Sequence, residues 1–252
     1  MAEIIKTMGG TLTFSPGNHR YTWDGEKVDL SVSAVAAQFA VPFGAASGWA
    51  AKVIREELLR GDIPTAFDGP SDRLEWAKDI CKSPHRITKR AGEIGTAVHR
   101  YIEDLASGFL VDSVELSADE DIAMCQRSLG EWVQSNVCEV ISTERRLYSR
   151  RWRIAGTVDM VAKMHDKKTY VIDWKGVTDL DASLKSNHVA QLTAYRSMLE
   201  EAGEEIDGCI LVRFSRANGK VDATAFHHHY DDVAAFEAAL ALARYKPRPE
   251  VF

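Results

Sequence analysis

The strongest constraint on this chain lies between Gly156 and Lys175, where two apolar, β-branched runs, 156–164 and 169–174, flank a polar turn rich in Lys and Asp. That pattern predicts a β-hairpin. Each run carries one aspartate among hydrophobic residues, Asp159 in the first and Asp173 in the second. A carboxylate inside a buried strand is costly unless it is paired or bound to a metal, so both need a partner. Strand periodicity puts Lys175 on the same face as Asp173 and Trp174 on the other.

Parity decides whether Asp159 joins them. If Met164 pairs with Lys168, the loop is His165, Asp166 and Lys167, a common three-residue form, and the two aspartates stand directly opposite each other. A four-residue loop closing on Met164 and Thr169 sends them to opposite faces unless a bulge intervenes. The spacing therefore predicts an odd loop or a bulge. Two adjacent carboxylates would otherwise repel, and a divalent cation is the natural third party, most simply Mg²⁺.

The rest of the chain sets limits. With 252 residues, 45% of them hydrophobic and 27% charged, it has material for one large domain or a domain with an appendage. A net charge of −6 gives no global pull toward nucleic acid, so such a partner must meet a local basic surface. No apolar run approaches the roughly 20 residues of a membrane helix. The start, MAEIIKTMGG, lacks a signal-peptide layout, so the expectation is a cytoplasmic protein without membrane contact. Cys81, Cys125, Cys138 and Cys209 are scattered with no CxxC pair, so buried free thiols are expected rather than a zinc or redox site.

Taken in order, residues 10–30 read as a hairpin turning at Asp24-Gly25, followed by a short helix capped by Ser31 or Ser33. Helices are expected over 46–60 and 73–82, the latter ended by Pro84, and over 86–107. The last carries His99 and Glu103, four apart on one face. A helix from Ala118 to about Asn136, capped by Ser117, precedes a strand over 140–148 that contains Glu144. Directly after it, Arg145, Arg146, Arg150, Arg151 and Arg153 interleave with Tyr148 and Trp152, five arginines in nine residues. Such a stretch suits phosphate tracking with aromatic stacking, or else a soluble hairpin edge. A helix over 184–202 carries Gln191 and Tyr195 on one face. Strands over 209–214 and 220–227, a helix over 231–245 and an irregular tail beyond Pro247 complete the chain. Consecutive strand residues alternate faces, so His227, His228 and His229 are not expected to converge on a metal. The order predicts an α/β fold, a mixed, mainly antiparallel central sheet flanked by helices, with an N-terminal hairpin and helical extension over 1–85 and the core over 86–252.

GTAVH at 95–99, Glu144 on the first core strand, GTVD at 156–159, VIDWK at 171–175 and QLTAY at 191–195 occur in a familiar order. From about Gly95 to Tyr195 the chain resembles the PD-(D/E)XK nuclease superfamily, in particular its RecB-like exonuclease branch, which includes phage nucleases and the mitochondrial genome maintenance exonuclease. HRYTWDGEKVDLSVS at 19–33 is similar to the prefix of many phage members. Gly176 departs from the pattern, since many relatives have Thr or Ser after the lysine.

The resemblance implies a restriction-endonuclease-like core and hydrolysis of phosphodiester bonds in DNA with free ends. It implies that Asp159, Asp173, the Trp174 carbonyl and His99 hold Mg²⁺ or Mn²⁺, and that Lys175 orients or activates the attacking water, its ammonium made more acidic by the nearby cation. Gln191 and Tyr195 would position the strand or support the site, Glu103 would orient His99 or join a second cation, and Glu144 is an auxiliary acid. The clustered cysteines of iron–sulfur relatives are missing, so no iron–sulfur cluster is expected. A homo-oligomer and a single-strand-annealing or other recombination partner fit phage or bacterial recombination, repair or processing. A non-catalytic DNA-binding or regulatory module and a structure-specific endonuclease are the alternatives.

Overall fold

The computed structural model describes residues 2–7, 9–39, 43–61, 64, 66–106, 114–226 and 230–246. It divides into two compact units, Met1–Ala40 with Ala97–Phe252, and Val41–Thr96. The triple histidine at 227–229 and the tail beyond Pro247 lie outside the described residues.

The first unit opens with an antiparallel four-stranded sheet in sequential order: β1 (Glu3–Thr7), β2 (Gly10–Ser15), β3 (Arg20–Trp23) and β4 (Glu26–Lys27). Asp24 and Gly25 both have positive φ, 49° and 84°, which is the backbone a tight two-residue hairpin requires. Ser31 caps α1 (Val32–Ala36), its hydroxyl accepting from the Ala34 amide at 3.2 Å. Leu12, Phe14 and Tyr21 close over Ala155 of the core, so these strands belong with residues 97–252.

The second unit contains α2 (Phe43–Arg60), α3 (Pro70–Cys81) and residues 83–96 of α4 (Ser83–Ala106). Arg86 ties them, 3.6 Å from Glu57 and 3.0 Å from Asp79. Pro84 was expected to end α3; it sits instead in the first turn of α4, where its missing N–H has no partner to lose.

The central sheet runs β5 (Val137–Ser149), β6 (Ile154–Met164), β7 (Thr169–Val177), β8 (Gly208–Ser215), β9 (Val221–Phe226), in that spatial order. Only β7 and β8 are parallel, joined by α6 (Ser186–Glu201) as a crossover. The mixed, mainly antiparallel α/β architecture is therefore as expected. On one face Leu192, Tyr195 and Leu199 of α6 and Phe236 of α7 (Tyr230–Arg244) pack with Val161, Val171 and Leu211. From the other side of β7, Trp174 meets Trp132 of α5 (Glu120–Asn136) edge to face at 5.6 Å. The cap of α5 is Asp119, which accepts from the Ile122 amide at 3.2 Å; Ser117, expected in that role, lies two residues early and accepts from Asp119 N.

Candidate active site

The hairpin closes as parity predicted. The Met164 amide donates to Lys168 O at 2.9 Å around the loop His165–Lys167, and Lys167 takes the left-handed conformation, φ 70°, typical of a three-residue loop. Met160 stands opposite Ile172 and Val161 opposite Val171, so one further step in register brings Asp159 opposite Asp173. Strand pairing stops at that step. There Asp159 Oδ2 accepts from the Trp174 amide at 3.1 Å.

Two further elements bring side chains to the same point. From α4, His99 sets Nε2 3.3 Å from the Trp174 carbonyl and Nδ1 3.7 Å from Asp159 Oδ2. From β5, Glu144 stands between residues that pair with Met160 and Val158, hence across from Asp159. Its φ of 46° is left-handed, a conformation that costs a residue with a side chain roughly 1–3 kcal/mol. His99, Glu144 and Asp159 each offer a ligand atom, all within 4.8 Å of one another. Burial, and next to it the charge of Asp159, pushes the Glu144 carboxyl up to about 7, with His99 and Arg146 pulling the other way and Glu103 adding to the rise.

Asp173 is wholly buried and bound to Lys175: Oδ1 accepts from Nζ at 2.9 Å, while Oδ2 lies 2.7 Å from the same nitrogen without hydrogen-bond alignment. Burial raises the Asp173 carboxyl above its usual range, partly offset by Lys175. For Lys175, burial works against the charge, but Asp173 and Asp159 outweigh it and hold the ammonium above its ordinary value. The downward shift that the resemblance implies belongs to the cation-bound site. In the chain alone, Lys175 is a cation that donates hydrogen bonds.

Gln191 donates to the Tyr195 hydroxyl at 3.1 Å on α6. Tyr195 is 3% exposed, and burial together with the Asp159 and Asp173 charges raises its phenol well above the ordinary value, so it acts as a neutral support. Its ring lies against Gly156, where an added Cβ would meet Cε1 at 2.7 Å.

The donor set suits a hard or borderline divalent cation: one imidazole, carboxylate oxygens, the Trp174 carbonyl and a buried Asp173 oxygen left without a hydrogen bond. The structure thus brings together His99, Asp159, Asp173, Trp174 and Lys175, with Gln191 and Tyr195 beside them. It adds Glu144 on equal terms, which the sequence ranked only as an auxiliary. Glu103 is exposed one turn beyond His99 and contributes its charge.

The arginine stretch is used differently. Arg145 pairs with Glu204, and Arg146 lies 3.0 Å from Glu3 and over the Phe14 ring. Arg150 donates to Gly9 O at 3.2 Å, and Arg151 pairs with Glu237. Trp152 is 4% exposed, packs on Phe236 and donates from Nε1 to Glu237 at 2.9 Å. Base stacking by Trp152 is thereby corrected: its ring is core. Arg150, Arg151 and Arg153 are exposed, the last at the turn into β6 with φ 51°. At Gly176 an added Cβ would meet Phe214 and Arg216 at 3.0 Å, so neighbouring side chains fill the space a larger residue would need.

A family model for the PD-(D/E)XK nuclease superfamily matches residues 117–245, slightly more than half of the 252-residue chain. The chain belongs to this superfamily. Asp159, Asp173, Lys175, Gln191 and Tyr195 all lie inside the matched span. His99 lies outside it and is joined to the site by geometry alone. Among solved structures, that of SSO0001 is similar at 14% identity and a TM-score of 0.33, the match covering 81% of this chain and 88% of that one. No curated protein matches.

Proposed function

We propose that this PD-(D/E)XK chain is a metal-dependent DNA exonuclease of the RecB-like branch, acting on DNA with free ends in phage or bacterial recombination or repair. The observation that carries the hydrolytic reading is the convergence of His99, Glu144 and Asp159 within 4.8 Å beside the buried Asp173–Lys175 pair. His99, Asp159, Glu144 and the Trp174 carbonyl would hold the cation, with Asp173 completing the shell through Oδ2, the oxygen that lies beside the Lys175 ammonium without a hydrogen bond. Bound there, a divalent ion supplies Lewis-acid stabilisation of a phosphoryl oxygen and a more acidic water. Lys175, kept protonated and aimed by Asp173, orients the attacking water by donation and offsets charge developing on the phosphoryl group. Gln191, braced by Tyr195, positions the strand. A binding-only module has little need for a buried carboxylate held against a lysine.

Support for the branch comes from the GTAVH and QLTAY motifs at 95–99 and 191–195. The cytoplasm is the expected location; among the described residues no helix is long and apolar enough to cross a membrane. The decisive experiment is a product time course on end-labelled linear DNA in Mn²⁺, with circular DNA as control. Asp173→Ala and Lys175→Ala are expected to abolish hydrolysis with circular dichroism unchanged. Hydrolysis surviving in both variants would overturn the proposal, and cleavage of circular DNA would redirect it to an endonuclease.

A further inference from the structure

Arg216 follows directly on β8, and its backbone amide donates to Val177 O at 3.0 Å, so it stands beside the end of the strand that carries Asp173 and Lys175. Its guanidinium folds back over Gly176: Nη1 donates to Gly176 O, and Nη2 donates to Thr178 Oγ1 at 3.1 Å. Nη1 lies 3.0 Å from where a Cβ at 176 would be, which puts the group on the face of β7 shared by Trp174 and opposite Lys175. The glycine that stands where many relatives have Thr or Ser thus leaves room for a guanidinium one residue past Lys175.

Both of these acceptors are neutral, and among the described residues no carboxylate pairs with Arg216. What acts on its charge is its own burial, which pulls its pKa below the ordinary value, and the Cys125 thiol, which opposes that shift. Asp173 is held by Lys175, and Asp179, the next acid along the chain, accepts from the Asp181 amide at 2.9 Å. The place is also open to solvent. Arg216 is half-buried, Thr178 beside it is exposed, and the Arg216 Nε is not sealed without a partner as the Nε atoms of Arg146 and Arg213 are. A partly desolvated cation with no counter-charge and an open side suits an anion that arrives from outside.

We infer that Arg216 is a substrate-binding residue, donating charge-assisted hydrogen bonds to a phosphate of the bound DNA strand close to the scissile bond. The assignment rests on the nuclease reading above. Lys175 and Gly176 are neighbours on β7, at ~3.3 Å per residue, and the phosphates of one strand rise ~3.4 Å apart along a duplex, so the contact falls about one or two nucleotides from the cut. The guanidinium fork is rigid and already anchored to Gly176 O and Thr178 Oγ1, so its remaining donors are oriented before substrate arrives. Cleavage chemistry stays with Lys175 and the acids, and Arg216 contributes affinity and strand register.

The test combines steady-state kinetics in Mn²⁺ on a short end-labelled DNA with binding of the same DNA followed by fluorescence anisotropy, both at several salt concentrations. Arg216→Ala should raise KM and Kd roughly tenfold, leave kcat nearly unchanged and reduce the slope of log affinity against log salt by about 1, as for the loss of one phosphate contact made equally in ground and transition states. Arg216→Lys keeps the charge and should keep the wild-type slope, whereas Arg216→Gln, neutral but still a donor, should lose it as the alanine does. A neutral methylphosphonate moved one position at a time around the cleavage site should weaken the wild type by a similar factor at one position and leave Arg216→Ala unaffected there. Equal salt slopes in the wild type, Arg216→Ala and Arg216→Gln would overturn the inference, as would full sensitivity of Arg216→Ala at every position. Wild-type protein that binds this DNA and cuts none of it would sink the nuclease reading alone, with the slopes still deciding the contact; protein that neither binds nor cuts it would sink both.

Discussion

Glu144 is the residue whose environment is least explained by the chain alone. It accepts a left-handed backbone in mid-strand and a carboxyl pushed up to about 7 from 4.5. Between those values the folded chain binds more protons than the unfolded chain, so its contribution to stability falls as pH rises through about 4.5 to 7. His188, depressed to about 4 from 6.5, contributes the opposite slope, stability rising with pH as the unfolded imidazole loses its proton. Comparing wild type with Glu144→Gln isolates the first effect: in EDTA the wild-type melting temperature should drop relative to the variant across that window, as thermal scans at successive pH values would reveal. Divalent cation should raise the melting temperature of the wild type more than that of Glu144→Gln. With an imidazole in the ligand set, Mn²⁺ should support hydrolysis at least as well as Mg²⁺ in a metal titration; strong preference for Mg²⁺ would argue against His99 as a ligand.

At the scale of elements, the hairpin β6–β7 and the helix α6 do most to define the site, and they meet at Gly156. Gly156→Ala would press a methyl against Tyr195 and Val32, with nearest atoms at 2.7 and 2.9 Å. It should destabilise the fold by ~1–3 kcal/mol in chemical denaturation and lower hydrolysis by displacing Tyr195 and Gln191. The hairpin was legible because its apolar runs, its two aspartates and the Met164–Lys168 closure all follow from period and parity. Glu144 was only partly legible: an acid in a strand is visible, but its left-handed turn and its register against Asp159 belong to tertiary structure. The burial of Trp152 was hidden for a related reason. Charge and aromatic interleaving do not reveal that Glu201, Glu204 and Glu237, distant in sequence, take up Ser149, Arg145, Arg151 and Trp152. The strand β1 went unseen, although its pairing with β2 is local.

At the scale of the molecule, the N-terminal sheet is tied to the catalytic strand through the Tyr21 hydroxyl, 2.7 Å from the Thr157 hydroxyl and two residues from Asp159. Tyr21→Phe should lower kcat several-fold while leaving most of the thermal stability, whereas removal of residues 2–30 should uncover Ala155 and its surroundings and cause aggregation, measurable by light scattering. The compact unit that holds the site is discontinuous, made of Met1–Ala40 and Ala97–Phe252. On a ribosome, the apolar side of the first sheet, Leu12, Phe14 and Tyr21, is synthesised long before Ala155 exists to cover it. At ~5–20 residues per second the delay is roughly seven to thirty seconds, long enough for the nascent strands to require shelter from other chains before the core can close.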